Sequence, residues 1–250
     1  MDVLQALALL GAGMAAGAIN AIVGSGTLIT FPTLLAFGYA PVLANVTNNI
    51  GVLPGSITGA VAYRRELAGQ RARVIRLAGA SLAGGATGAV ALLALPSSAF
   101  DAIVPALIGL ACVLVLLQPR LNRLVARHRP QSAHGGAPLL AGVFLTGIYG
   151  GYFGAAQGVL LIGWLGILLS DDLQRLNGLK NVLAGLVNAV AAGIFVAVSD
   201  VAWDAALLIA AGATAGGQLG GTYGRRLPPI ALRGIIVVVG ATAAVRLLVT

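Results

Sequence analysis

Acid is the scarcest chemistry in this chain. Asp and Glu number 7 in 250 residues, against 15 Lys and Arg, and the acids are Asp2, Glu66, Asp101, Asp171, Asp172, Asp200 and Asp204. All fall at expected segment ends or connections, so no apolar segment carries a buried acid for sodium binding or a proton relay. Cysteine is limited to Cys112, inside "LIGLACVLVLL", which excludes a disulfide framework and a thiolate metal cluster. The two histidines, His128 and His134, sit together in a basic stretch and read as solvated. An enzyme needs a nucleophile with its base, paired acids or a metal cluster. The apolar segments offer only isolated Ser, Thr and Lys, so no catalytic residue, metal or cofactor is expected. Lysine is the rarest charge: arginine supplies every other cationic side chain, and Lys180 stands alone in "NGLKNVLAGLVN", residues 177–188.

What remains is apolar. Hydrophobic residues make up 58% and charged residues 9%, with a mean hydropathy of +0.96, which lies outside the range of a soluble domain. A spanning helix needs roughly 20 apolar residues to cross about 30 Å of hydrocarbon, so the chain reads as an all-α polytopic membrane protein with almost no extramembrane domain. The opening "MDVLQALALLGAG" lacks a basic leader region and is read as the first mature segment. The net charge of +8 is not a nucleic-acid footprint, because arginines cluster in "YRRELAGQRARVIR" (63–76) and "QPRLNRLVARHRP" (118–130). Such clusters mark cytoplasmic connections, and the loops at 64–76 and 119–130 suit anionic lipid.

Gly, Pro and charge punctuation divides the chain into segments at 3–23, 27–38, 41–63, 74–95 and 99–118, then 138–155, 158–169, 173–197, 205–224 and 229–249. The segments at 27–38 and 158–169 are too short to span, and they read as broken or re-entrant helices. The two halves repeat. "GAINAIVG" ending at Gly24 aligns with "GIYGGYFG" ending at Gly154, and "ANVTNNIGVLPGS" from Ala44 aligns with "LNGLKNVLAGLVN" from Leu176. The second offset also relates "LAGGATGAVALLALP" (82–96) to "TAGGQLGGTYGRRLP" (214–228). Charge differs between the partners: 64–76 is Arg-rich where its counterpart "VSDVAWD" is acidic, and "LPSSAFD" lacks the Arg225 and Arg226 of "GRRLPP". The expectation is therefore two inverted-topology repeats of about five segments each, over 1–118 and 138–250. A basic cytoplasmic linker at 119–137 joins them, and both termini lie outside. Inverted repeats with short, Gly-interrupted segments at matching positions point to a secondary transporter with its site at the repeat interface.

Candidate site residues follow from the elbows and from two polar stripes. In "NAIVGSGTLITFP", Gly24 and Gly26 permit a sharp turn beside Asn20, and Ser25 or Thr27 can cap the short helix that follows. The second elbow repeats this with Gly154, Gln157 and Gly158. Helix ends broken at membrane depth leave N–H groups that suit an anion. Asn45, Asn48 and Asn49 share one helix face that Ser56 continues, and their repeat equivalents are Asn177, Lys180, Asn181 and Asn188. Polar stripes are costly in lipid unless they face inward. Two readings of Lys180 stand: a stem that snorkels to the cytoplasmic surface, or the mobile positive charge of an anion site opposite Asn48. Trp164, Trp203, Tyr39 and Tyr63 read as interfacial aromatics.

Through the stretches "GAINAIVGSGTLITFPTLLAFGYAPVLANVTNNIGVLPGSITGAVAYRREL" and "GIYGGYFGAAQGVLLIGWLGILLSDDLQRLNGLKNVLAGLVNAVAAGIF", the sequence resembles the TauE/SafE sulfite-exporter family, also called the four-toluene-sulfonate uptake permease family. The resemblance covers nearly the whole chain. It implies transport of sulfite, sulfonates, sulfoacetate or related organosulfur anions across a bacterial inner membrane. It also implies substrate contacts at Gly24 to Thr27 and Asn177 to Asn181. The first elbow departs from the family's glycine-richer pattern at Ser25 and Thr27. The reading is a secondary transporter of small sulfur-containing anions working by alternating access; an anion channel or a carboxylate transporter is the alternative. Gly-rich outer faces suit a homodimer as readily as internal packing.

Overall fold

The apolar runs fold as helices wherever they are described. A computed structural model describes residues 1–127, 135–223 and 229–249. Its first five helices are α1 (Val3–Ile22), α2 (Thr27–Ala36), α3 (Pro41–Ala62), α4 (Arg71–Ala94) and α5 (Ser97–Arg127). The second five are α6 (Gly136–Tyr152), α7 (Gln157–Leu168), α8 (Leu173–Val198), α9 (Trp203–Tyr223) and α10 (Pro229–Val249). The protein is an all-α polytopic membrane protein: α1, α4, the Ser97–Leu124 part of α5, and α8 are each long and apolar enough to cross a membrane by length and composition. With 10 and 12 residues, α2 and α7 reach only about 15 and 18 Å, half a bilayer.

Local chemistry sets several ends. Asp2 accepts from the Gln5 N–H at 2.7 Å while the Gln5 carboxamide accepts from the Asp2 N–H at 3.2 Å, a reciprocal cap that starts α1. Asp172 starts α8 by accepting from the Gln174 N–H at 2.9 Å, and Pro41 opens α3, where a missing N–H costs nothing. The segment expected to end at 118 runs on as α5 to Arg127, so the first part of the basic 119–137 stretch is helical. His128, His134, Arg225 and Arg226 lie outside the described residues.

Small residues let the helices approach to backbone contact. A Cβ at Gly84 or Gly88 of α4 would run into the backbone of Phe144 or Ile148 of α6. One at Gly216 or Gly220 of α9 would run into Met14 or Ala18 of α1. Each half's fourth helix thus packs on the other half's first, through equivalent glycines. Lipid chains are as apolar as leucine and give helices no hydrophobic reason to associate, so such van der Waals contact carries the packing. Helices α3 and α8 meet at the centre, α5 packs on α10, and the short helices are held from both sides, α2 by α1, α3 and α10, and α7 by α6, α8 and α5.

The connection between α3 and α4 is fastened to the one between α7 and α8. Asp171 accepts from Arg73 Nη1 at 2.6 Å and from Arg175 Nε at 2.7 Å. The buried Gln70 donates to the Glu66 and Arg175 carbonyls at 2.9 and 3.1 Å. Arg175 is committed to this cluster and to the Ala68 carbonyl at 3.2 Å. Partial burial raises the Asp171 carboxyl pKa, but the hydrogen bonds from Arg73 and the Asp172 N–H, with the Arg175 charge and hydrogen bond, bring it below its ordinary value. Tyr63, expected at the interface, is buried instead at the end of α3, whereas Trp203 is exposed.

Candidate functional site

The site forms where the two elbows touch. At the first, the Gly24 N–H closes the α1 end on the Ile19 carbonyl at 3.0 Å, and Gly24 turns the chain at φ 86°, a conformation that side chains oppose. The Gly26 N–H then donates to Asn20 Oδ1 at 2.6 Å. Because Gly26 is the N-cap of α2 and makes no side-chain cap bond, neither Ser25 nor Thr27 caps the helix as expected. The Ser25 hydroxyl is buried with no hydrogen-bond partner in the protein. At the second elbow Gly154 turns at φ 79° and Ala156 at φ 60°, held by the Tyr149 hydroxyl donating to the Ala155 carbonyl at 2.5 Å. The elbows meet where the Gly158 N–H donates to the Gly24 carbonyl at 3.2 Å. A Cβ at either glycine would overlap the other's backbone.

Beside this contact lies a cavity of about 30 Å³. It is lined by the candidates Asn20, Gly24, Thr27, Gly154, Gln157, Gly158, Lys180, Asn181 and Asn188, joined by Ala21, Gly55, Ser56, Gly59 and Ala184. Lys180 is 1% exposed, which overturns snorkelling. Its Nζ donates to the Asn20 and Ala21 carbonyls at 3.2 and 3.3 Å, and Asn181 Nδ2 donates to the Ala21 carbonyl at 3.2 Å. Both carbonyls belong to the last turn of α1, which a helix leaves without internal partners and where its dipole favours a cation. The broken helix gives the ammonium a better partner than distant water. No carboxylate lines the cavity among the described residues, and two hydrogen bonds leave one ammonium proton uncommitted. Gln157 Nε2 is buried in the same lining with no hydrogen-bond partner in the protein.

The other candidates are elsewhere. Asn45 donates to the Tyr152 carbonyl at 2.9 Å and so holds the second elbow. Asn48 accepts from the Thr30 hydroxyl and donates to Thr27 Oγ1 at 3.4 Å, so it braces α2 instead of opposing Lys180 in the cavity. Asn49 is buried with an unpartnered Oδ1, and Asn177 is half-buried; neither lines the cavity, nor do Ser25 and Gly26. Ser56 was on the stripe but not among the candidates, and it accepts from Asn188 Nδ2 at 3.1 Å. Ser56 and Asn188 hold matching places in the two aligned stretches, but nothing in either stretch states that they touch. The lining positions Gly55, Gly59 and Ala184 carried no chemical signal.

Lys180 and the Gln157 amide thus share one lining between the two broken helices. The family described as "Sulfite exporter TauE/SafE" matches residues 9–247. A "probable membrane transporter protein ORF9" of Sinorhizobium sp is 28% identical over 238 residues, covering 95% of this chain and 90% of that protein. The "probable membrane transporter protein YfcA" of Escherichia coli K12 is 26% identical over 240 residues, covering 94% and 86%. No solved structure matches the chain. With the family match spanning nearly all of the sequence and both elbows within it, the chain belongs to the TauE/SafE sulfite exporter family, a family of membrane transporters.

Proposed function

We propose that this membrane transporter is a secondary carrier of small sulfur-containing anions such as sulfite, sulfonates or sulfoacetate, binding them beside Lys180 and moving them by alternating access. The observation that carries the reading is Lys180 itself, buried with no counter-carboxylate among the described residues in a cavity that also holds the unpartnered Gln157 amide. A buried charge is retained at a cost unless something pairs with it, and an oxyanion is the complementary partner. Membership of a sulfite exporter family points to sulfur as the centre of that oxyanion. The smallness of the cavity and the direct contact of Gly24 with Gly158 favour a carrier over an open channel. Two inverted repeats suit alternating access, because exchanging the roles of the halves exchanges the open side. In this reading the Arg-rich connections face the cytoplasm and its anionic lipid across the bacterial inner membrane, the termini lie outside, and the binding site lies at the repeat interface.

The test is uptake of radiolabelled sulfite into proteoliposomes. Saturable flux with counterflow, abolished by Lys180→Ala, is the expected result. Flux proportional to the gradient without saturation indicates a channel, and unchanged affinity and flux in Lys180→Ala removes the site. A carboxylate that competes better than any sulfur anion replaces the substrate class.

A further inference from the structure

The groove between α3 and α8 is covered differently at its two ends. The cavity takes its α3 lining from the second half of that helix, at Gly55, Ser56 and Gly59, and its α8 lining from Lys180 to Asn188. Toward the start of α3 the groove is filled, since Asn48 braces α2 and Asn45 holds the second elbow. Helix α2 runs from the first elbow to that end, and its Phe31 meets Phe153 edge to face at 5.3 Å, with Phe100 6.3 Å from Phe153. Toward the end of α3 the cover is a single stretch of chain. The connection at 63–70 begins one turn after Gly59 and lies over the first turns of α8. A Cβ at Gly178, two residues before Lys180, would stand 3.4 Å from Leu67 Cγ and 3.6 Å from Glu66 Cβ.

Polar contacts hold this strap to the other half of the chain. Asp171 accepts from Arg73, in the first turn of α4, at 2.6 Å; Arg175 Nη1 donates to the Ala68 carbonyl at 3.2 Å, and Gln70 to the Arg175 carbonyl at 3.1 Å. The side chains of Arg73 and Asp171 are 18% and 14% exposed, so water replaces these bonds when the strap lifts, and the pair contributes little to keeping it down. The buried rings at the other end have no such substitute, because parting them exposes apolar surface. The strap end is the one that opens more easily.

Resting on the anion-site reading above, we infer that the 63–70 connection is the gate through which a ligand reaches Lys180, and that the Arg73–Asp171 pair is its latch. With the latch engaged, the strap covers the start of α8. Its release swings the strap off Gly178 and opens the cavity toward the side of the Arg-rich connections, while the aromatic end stays shut.

The experiment is the rate of N-ethylmaleimide labelling of Ala184→Cys, read by mass spectrometry on the detergent-purified full chain carrying Cys112→Ala, with no ligand present. Ala184 lines the cavity, and the exposed Ala68 on the strap supplies a reference thiol as Ala68→Cys. Ala184→Cys should label about tenfold or more slowly than the reference, as a site reached through a minor open state does. Asp171→Asn and Arg73→Gln should each speed its labelling about threefold to fivefold, the population shift from losing one partly solvated ion pair. Thr47→Val removes the bond from the Ala202 N–H at the opposite end of the groove and should leave the rate unchanged. Rates untouched by both latch variants, or raised equally by Thr47→Val, overturn the gate and leave the anion site standing. Labelling of Ala184→Cys as fast as Ala68→Cys with the latch intact overturns it as well. Because labelling needs no ligand, a failure of sulfite to bind removes the anion site without touching the strap result.

Discussion

The first elbow ends α1 at carbonyls capped by Lys180 and Asn181, whereas the second ends α6 at the Tyr152 carbonyl, capped by the neutral Asn45. Both breaks need a donor, because carbonyls at the end of a helix have no partner in their own helix and lipid supplies none. At the second elbow an amide covers one carbonyl; at the first, the Asn20 carbonyl is covered by Lys180 and the Ala21 carbonyl by Lys180 and Asn181 together. In the repeat alignment Lys180 corresponds to Asn48, which braces α2 through Thr30 and Thr27. The stripe of α3 serves as scaffold, and the matching position on α8 carries the lysine.

The largest effect should come from breaking the contact between the elbows. Gly24→Val places a branched side chain at φ 86° against the Gly158 backbone; left-handed strain of about 1–2 kcal/mol adds to overpacking of about 1–3 kcal/mol. Uptake should disappear and the apparent melting temperature should fall. Gly38→Ala, at the same φ with open space around it, should show the strain alone.

Lys180→Met should separate cap from charge. Removing a buried ion in favour of an apolar isostere is often close to neutral for stability, and Asn181 still reaches the Ala21 carbonyl. The expected outcome is loss of stabilisation by sulfite and of flux, with a change in unliganded stability of about 1–2 kcal/mol, roughly the value of one uncompensated carbonyl. A variant that keeps sulfite stabilisation shows the charge to be structural after all. Asn45→Ala sharpens the contrast from the other side. It should cost about 1–3 kcal/mol by stranding the Tyr152 carbonyl, while anion affinity stays within about twofold, as thermal shift with and without sulfite would measure.

Asp171→Asn should have the smallest effect, about 1 kcal/mol or less, because its partners Arg73 and Arg175 are partly solvated. The folded carboxyl titrates below its ordinary value, so its contribution is present at neutral pH, persists to about pH 4 and is lost as pH falls through the lowered folded value. Thermal melts of the variant and the unaltered protein should converge in that acid window. Convergence at neutral pH instead shows that the cluster does not hold the two connections together.

Much of the architecture was legible because lipid narrows the choices. Backbone groups inside a bilayer must be satisfied within the segment, so apolar runs of sufficient length become helices, and the positions of glycine, proline and arginine mark their ends. The short α2 and α7 fall close to the expected 27–38 and 158–169. The elbow glycines were readable because only glycine takes such turns freely, although Ala156 does so as well, without any glycine to announce it.

The sequence by itself determined a polytopic helical membrane protein, its elbows, and one lysine in an apolar segment. Only the tertiary structure decided which polar residues meet. Helical spacing places Asn45, Asn48 and Asn49 on one face, but it cannot state that the face meets α2 and the second elbow. Nor can it place the end of α1 within reach of Lys180, whose own stem is long enough to choose between a carbonyl and water. That choice depends on where a distant helix stops, and it turns a residue readable as a surface anchor into a buried one, the single ionisable side chain of the cavity lining among the described residues.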